Sequence, residues 1–261
     1  MMFFRRLAGD NTVRRLVFFL LLLAGWQGFV WIGLWPEFIF PSPLGVLETL
    51  ARGLRNGTFV LGIWVSMQRI LIGFGFSAIV GMTLGLAIGR IRLLEQTLGS
   101  LVLGLQTLPG ICWLPLAILW FGLNETAILF VVVMGALLSI TLATEAGVKN
   151  TPPLYLRAAR NLGARRWRLY WFVILPAALP GIITGMKLGW SFAWRSLMAG
   201  ELLYQGARVG LGNLLSMGRD LNDMSQVVAV MLVIIAIGLV VDRLIFAPIE
   251  LRVRERWGLQ N

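Results

Sequence analysis

RAARNLGARRWRLYWFVILP occupies residues 157–176. It is basic, rich in alanine, punctuated by one glycine, and set between two long apolar runs. A basic helix points to nucleic acid or to a membrane surface. The flanking runs decide between them.

The chain has 261 residues, 58% of them hydrophobic and only 13% charged. A soluble domain carries about 25% charge. With a mean hydropathy of +0.81, 30 Gly and 11 Trp, this composition is that of a polytopic membrane protein. A helix needs about 20 apolar residues to cross about 30 Å of hydrocarbon. Six windows qualify, near 16–35, 70–89, 98–121, 126–144, 177–200 and 226–247. The third contains Pro109 and Pro115, and the fifth contains Lys187 and Arg195. Such irregularities belong against other helices or beside a cavity. Arg5, Arg6, Arg14 and Arg15 precede the first run as they would in a signal peptide. Its apolar core is too long for one and no A-x-A-like site follows, so it reads as a retained span. Cys112 is the single cysteine and histidine is absent, which excludes an internal disulfide and a Cys/His metal site. Cys112 is expected to be a small packing residue, and no metal is expected.

The cations sort by loop. With the N-terminus inside, sixteen of the 23 are cytoplasmic: four in the N-tail, Arg90 and Arg92, six from Lys149 to Arg168, and Arg243, Arg252, Arg254 and Arg256. Arg52, Arg55, Arg208 and Arg219 are outside, and Arg69, Lys187 and Arg195 fall in or at the edge of the membrane. The twelve acids divide evenly, so the bias is one of cations alone. Both termini are therefore expected in the cytoplasm. The net charge of +11 is mainly a topology signal, and nucleic acid is not an expected partner.

This gives an N-tail at 1–15, a first span with an outer segment at 16–58, a core at 59–250 containing the inner loop 145–176, and a C-tail at 251–261. In the outer segment Ser42 or Pro43 opens a short interfacial helix over Leu44, Val46, Leu47 and Leu50. Gly81, Gly85 and Gly89 share a face of the second span and permit close helix approach, for packing or for gating. Gln106 and Thr107 precede the Pro109-Gly110 break, where they line a pathway or merely adjoin a kink. In the inner loop Thr151 supplies a capping hydroxyl before Pro152-Pro153, Ala158, Ala159 and Leu162 form a small smooth side, and Gly163 ends the helix. Trp167, Leu169, Trp171 and Phe172 lead back to the membrane.

Reading back from Val173-x-Leu175-Pro176, nine residues lie between Val173 and Gly163, and three more lead to Arg157-Ala158-Ala159. That resembles the EAA motif of ABC-importer permeases, E-A-A-x3-G-x9-I-x-L-P. Arg157 departs from the motif, standing where the family has Glu. FPSPLGVLETL (40–50), RILIGF (69–74), LPLAILWFGLNE (114–125), LPAALPGIITGMKLG (175–189) and the W-x6-E of Trp194 and Glu201 are similar to the nitrate/sulfonate/taurine branch, bicarbonate permeases included. The resemblance implies the all-α, six-span fold of type I ABC-importer permeases. It implies that Arg157, Ala158, Ala159, Gly163, Leu175 and Pro176 belong to a helix that docks on an ATPase. It also implies two ATPase subunits that bind ATP and Mg, a second permease copy (a homodimer in preference to a heterodimer), and an extracytoplasmic substrate-binding protein. This chain itself is expected to bind no cofactor, and it lacks a G-x4-G-K-[ST] phosphate loop.

Thr184, Lys187, Ser191 and Arg195 step by three and four residues along one helix face, flanked by Trp190 and Trp194. They form a pathway wall for small oxyanions, or else Lys187 pairs with a carbonyl freed at Pro109 and Arg195 pairs with Glu201 or reaches outward. Glu201 gates the outer mouth, docks the binding protein or forms a plain ion pair. The last outer loop, 204–226, reads from its residues as a turn-rich connector. No carboxylate pair or Ser-His arrangement supports an integral-membrane enzyme, and a secondary transporter would work without an ATPase. The expected function is the permease subunit of an ATP-driven importer of nitrate, a sulfonate such as taurine, or bicarbonate.

Overall fold

The computed structural model describes residues 11–165, 167–204, 206 and 208–256. Most of the N-tail, Arg166 and the last five residues of the C-tail lie outside the described residues. Every regular element among them is helical. The first run forms α1 (Asn11–Ile32), and Trp26 Nε1 at its far end donates to the Pro41 carbonyl at 3.0 Å. Ser42 caps α2 (Pro43–Arg55), its Oγ accepting from the Gly45 N–H at 3.2 Å with proline in the first turn. Asn56 and Gly57, the latter at φ +78°, turn the chain into α3 (Thr58–Ile88). At 31 residues α3 is about 46 Å long. It therefore starts well before the expected window at 70–89 and outruns the hydrocarbon layer.

The third window is not one helix. It divides into α4 (Arg92–Gln106) and α5 (Gly110–Phe121), which meet at 105°. Pro109 has no N–H to continue α4, and its ψ of 140° sends the chain out of the helical region. α4 closes on Thr107 and Leu108 N–H bonds to Gly104 and Leu105, and α5 restarts with a 3₁₀ turn in which the Cys112 N–H reaches the Pro109 carbonyl at 2.9 Å. Cys112 is exposed in that turn, contrary to the expected packing role, because the restart turns its side chain off the core. The remaining elements are α6 (Glu125–Lys149), α7 (Pro153–Asn161), α8 (Trp167–Leu203), α9 (Leu211–Asp220) and α10. α10 runs as Met224–Val241, passes a π turn at Asp242–Phe246 and ends as Ala247–Arg256. Five helices are long and apolar enough to span a membrane, and the bent α4–α5 pair makes six. The supposed connector at 204–226 contains α9, so it is more ordered than its turn residues suggest.

Residues up to Leu61 together with Leu214–Val233 form one compact unit, and Gly62–Asn213 with the chain from Ile234 form the other. In the first, Phe29 packs edge-on to Phe40 at 5.3 Å between ring centres. Gln226 lies in the first turn of α10 there, its N–H donating to Asp223 Oδ1 and its side-chain amide to the Leu214 carbonyl, each at 2.9 Å.

The second unit is organised around α6. Asn124 caps it, its Oδ1 accepting from the Ala127 N–H at 3.1 Å. Val131, Val132, Ala136, Ile140 and Thr144 are completely buried, as expected of a helix apolar on nearly every side. The α3 glycines do pack: a Cβ at Gly85 would sit 2.6 Å from Thr144 Cβ, and one at Gly89 would sit 2.9 Å from Val148 Cβ. α8 approaches α6 through a second glycine row, Gly181, Gly185 and Gly189, where a Cβ at Gly189 would lie 2.7 Å from Ile140 Cγ1. Without a hydrophobic force between helices in lipid, this close backbone approach supplies the packing energy.

Candidate functional site

α7 is built by its ends. Pro152 is its N-cap and Pro153 opens it, with no side-chain cap. The Thr151 hydroxyl turns back to the Gly147 carbonyl at 3.4 Å, so the expected capping role is not observed. The other end closes on a complete Schellman motif: Ala164 N–H to Ala159 O at 2.9 Å and Gly163 N–H to Arg160 O at 3.0 Å. Gly163 sits at φ +85° with open space around it, so glycine is required there for backbone conformation.

The two alanines of the motif face different ways. Ala159 packs inward with Val148, Leu169, Ile174 and Ala178, and Leu156 lies against the same cluster. Ala158 is exposed between Leu154 (70% exposed) and Leu162 (88% exposed), four residues to either side. α7 therefore presents an uncovered apolar stripe, with Arg157 exposed beside it. Leu175 and Pro176 follow a π turn at Tyr170–Ile174, in which the Leu175 N–H reaches the Tyr170 carbonyl. That wider turn relieves the crowding Pro176 would impose on the Phe172 carbonyl of an ordinary α-helix.

Of the polar residues of α8, Lys187, Ser191 and Arg195 share one cavity, while Thr184 and Glu201 lie apart from it. Lys187, Ser191, Trp194 and Arg195 line a cavity of about 220 Å³ with Trp190 and with Gly238, Asp242 and Phe246 of α10. Lys187 Nζ lies 2.7 Å from Asp242 Oδ1 and 3.9 Å from Glu250 Oε2. Its partner is thus a neighbouring carboxylate and not a carbonyl at Pro109. Ser191 Oγ donates to the Lys187 carbonyl within the helix. Arg195 is exposed, its guanidinium 5.4 Å from the Phe192 ring centre, and it holds no carboxylate among the described residues. Gln106 and Thr107 line a separate cavity of about 210 Å³ with Trp113, Ser139, Phe192 and Ser196. There Gln106 Nε2 is 3.4 Å from Ser139 Oγ, while its Oε1 is buried without a partner. Thr184 falls in neither.

Glu201 is completely buried and pairs with Arg69, not with Arg195. Arg69 Nη1 donates to Glu201 Oε1 at 2.7 Å, and Ser66 Oγ lies 2.8 and 2.9 Å from the two carboxylate oxygens. The Gly212 N–H donates to Oε2 at 2.9 Å, and the Leu211 N–H donates to Ser66 Oγ at 2.9 Å. The other edge of Arg69 forks onto Glu125, Nε to Oε2 at 2.8 Å and Nη2 to Oε1 at 2.5 Å. Nη2 also reaches the Arg208 carbonyl at 2.9 Å. This network joins α3, the start of α6, the end of α8 and the approach to α9. Sequence reasoning missed Ser66, Arg69 and Glu125 as a group. The signal available was Arg69 itself, an arginine in an apolar helix that requires an acid. Among the described residues no cluster of three or more His, Cys, Asp or Glu forms a metal site.

A family model described as the binding-protein-dependent transport system inner membrane component matches residues 77–254, more than half of the chain. The chain belongs to this family. The permease is 32% identical to the taurine transport system permease of Escherichia coli, over 73% of this chain and 70% of that protein. It is also 32% identical to the bicarbonate transport system permease of Synechococcus elongatus, over 80% and 72%. The nitrate import permease of Synechocystis is 29% identical, over 78% and 77%. An inward-facing methionine ABC transporter superposes at a TM-score of 0.62 and 20% identity, covering 75% of this chain and 95% of that one. The permease is therefore a multi-pass transport subunit of an ABC importer with the type I fold, not an enzyme. ATP hydrolysis is on separate subunits, and a substrate-binding protein completes the system.

Proposed function

We propose that the permease imports a small oxyanion, with the α7 loop and both termini in the cytoplasm. The cation distribution supports that orientation. In this reading two ATPase subunits, carrying ATP and Mg, grip the stripe of Leu154, Ala158 and Leu162, while this chain holds no cofactor. Closure of the ATPase pair moves α7, and its inward face of Leu156 and Ala159 passes the motion to α6 and α8. Two copies of the chain form the pathway, and the binding protein docks at the Glu201 end, where the Arg69 network holds the mouth.

The observation that carries the cargo class is Arg195. An intramembrane guanidinium without a carboxylate, lining a cavity beside Lys187, is costly unless an anion meets it. Guanidinium suits the planar or bidentate oxygens of nitrate, bicarbonate or a sulfonate. Asp242 in the same cavity favours a second reading, a zwitterionic aminosulfonate whose ammonium finds an acceptor. Reconstituted with its ATPase and binding protein, Arg195→Ala should slow uptake about tenfold or more while ATPase co-purification persists, the loss of one charge-assisted contact being worth about 1.5–3 kcal/mol. Unchanged uptake would remove Arg195 from the pathway. Competition between taurine and nitrate for the same uptake separates the two cargo readings.

A further inference from the structure

Arg90, Arg160 and Arg165 line one open pocket of about 540 Å³, walled by Ala164 and Leu169. Among the described residues none of the three holds a carboxylate. Glu95 and Glu145 are both taken by Lys149, at 2.9 and 2.6 Å. Three guanidinium groups around one cavity repel one another unless an anion sits between them.

The position of the pocket identifies that anion. Arg90 lies two residues beyond the end of α3 at Ile88, so it stands where a span leaves the hydrocarbon. Arg160 lies about 100° around α7 from Asn161 and about 120° from Leu154, at about 100° per residue. It is thus on the flank of the helix, away from the apolar stripe proposed to meet the ATPase. Along the chain from the pocket residue Leu169, Trp167 and Phe172 are 71% and 79% exposed, and Trp167 packs edge-on to Trp171 at 5.7 Å. Exposed tryptophans at the start of a span mark the headgroup layer.

We propose that Arg90, Arg160 and Arg165 bind the phosphate headgroup of an anionic phospholipid, whose glycerol and upper acyl chains lie along Trp171 and Phe172. This rests on the reading of the α7 loop as cytoplasmic, since it places the lipid in that leaflet. Guanidinium forks match phosphate oxygens, and basic pockets beside membrane helices suit such headgroups. The lipid ties the loop between α7 and α8 to the bilayer surface, so that α7 moves against a fixed support.

The test is native mass spectrometry of the complete transporter released from nanodiscs of phosphatidylcholine with or without phosphatidylglycerol. The wild type should retain phosphatidylglycerol in preference to phosphatidylcholine. Arg160→Gln and Arg165→Gln should each lower that retention about fivefold, the effect of about one surface cation on an anionic lipid. Arg160→Lys should keep most of it, and Arg252→Gln, outside the pocket, should keep all of it. The ATPase should remain bound in every variant. Equal retention of the two lipids by the wild type would overturn the proposal. So would loss of the ATPase with unchanged lipid retention, which would make the pocket a protein contact. Arginine-dependent binding of inorganic phosphate in phosphatidylcholine nanodiscs would make it a soluble-anion site and overturn it too. Trypsin access to the wild-type loop in vesicles of known sidedness tests the orientation separately.

Discussion

Glu201 and Arg160 lie beyond opposite ends of the apolar stretch of α8, and their charges are treated differently. Glu201 is completely buried, with Arg69, Ser66 and the Gly212 N–H satisfying its carboxylate. Arg160 borders an open pocket with two other arginines, next to a helix whose apolar stripe is uncovered. One end of the core is completed by the chain itself, while at the other three arginines and an apolar stripe are left uncovered. Burial makes the first rigid and intolerant of change. The second is exposed, so substitutions there leave the packed core in place.

Substitutions at the two ends should therefore fail differently. The largest effect is expected at the closed end, where Arg69→Ala strands both Glu201 and Glu125. Removing one partner of a buried pair costs about 3–5 kcal/mol, read as a large fall in melting temperature in detergent. Replacing Arg69 and Glu201 together by Met and Leu should recover much of that loss, and no recovery would show that the network does more than neutralise charge. Two glycines sharpen the contrast at smaller cost. A Cβ at Gly212 would meet Glu201 Cβ at 2.5 Å and the Met198 carbonyl at 2.8 Å, so Gly212→Ala should cost about 1–3 kcal/mol through overpacking. Gly163 has free space but φ +85°, so Gly163→Ala should cost about 1 kcal/mol and Gly163→Asn less. Equal melting temperatures for Gly163→Ala and wild type would contradict the strained geometry. The smallest stability effect, within about 0.5 kcal/mol, is expected for Ala158→Leu on the exposed stripe. That variant should nevertheless pull down less ATPase, and undiminished pull-down would remove Ala158 from the docking surface.

The open end was legible because its determinants are local. The glycine that ends α7, the paired prolines that open it and the Leu-Pro step after the π turn are all spacings within about twenty residues of one another. The second glycine row, Gly181, Gly185 and Gly189, is also a four-residue repeat, but it was missed in the sequence. At the closed end the partners are 56 and 132 positions from Arg69, which no spacing reveals. The suggested Arg195–Glu201 pair fails on helix geometry: six residues at about 100° each place the two side chains about 120° apart on α8. Lys187 was read on one face with Ser191 and Arg195, with a carbonyl at Pro109 as its alternative partner, and Asp242, 55 positions along the chain, was not considered. Pro109-Gly110 announced a break but not its 105° angle.

The break carries one more consequence. Cys112, the sole thiol in the sequence, is exposed in the turn that restarts α5. The 261-residue sequence thus offers a single attachment point for a maleimide dye or spin label. In a homodimer two identical labels would report one distance across the assembly, a ruler placed at the 105° bend.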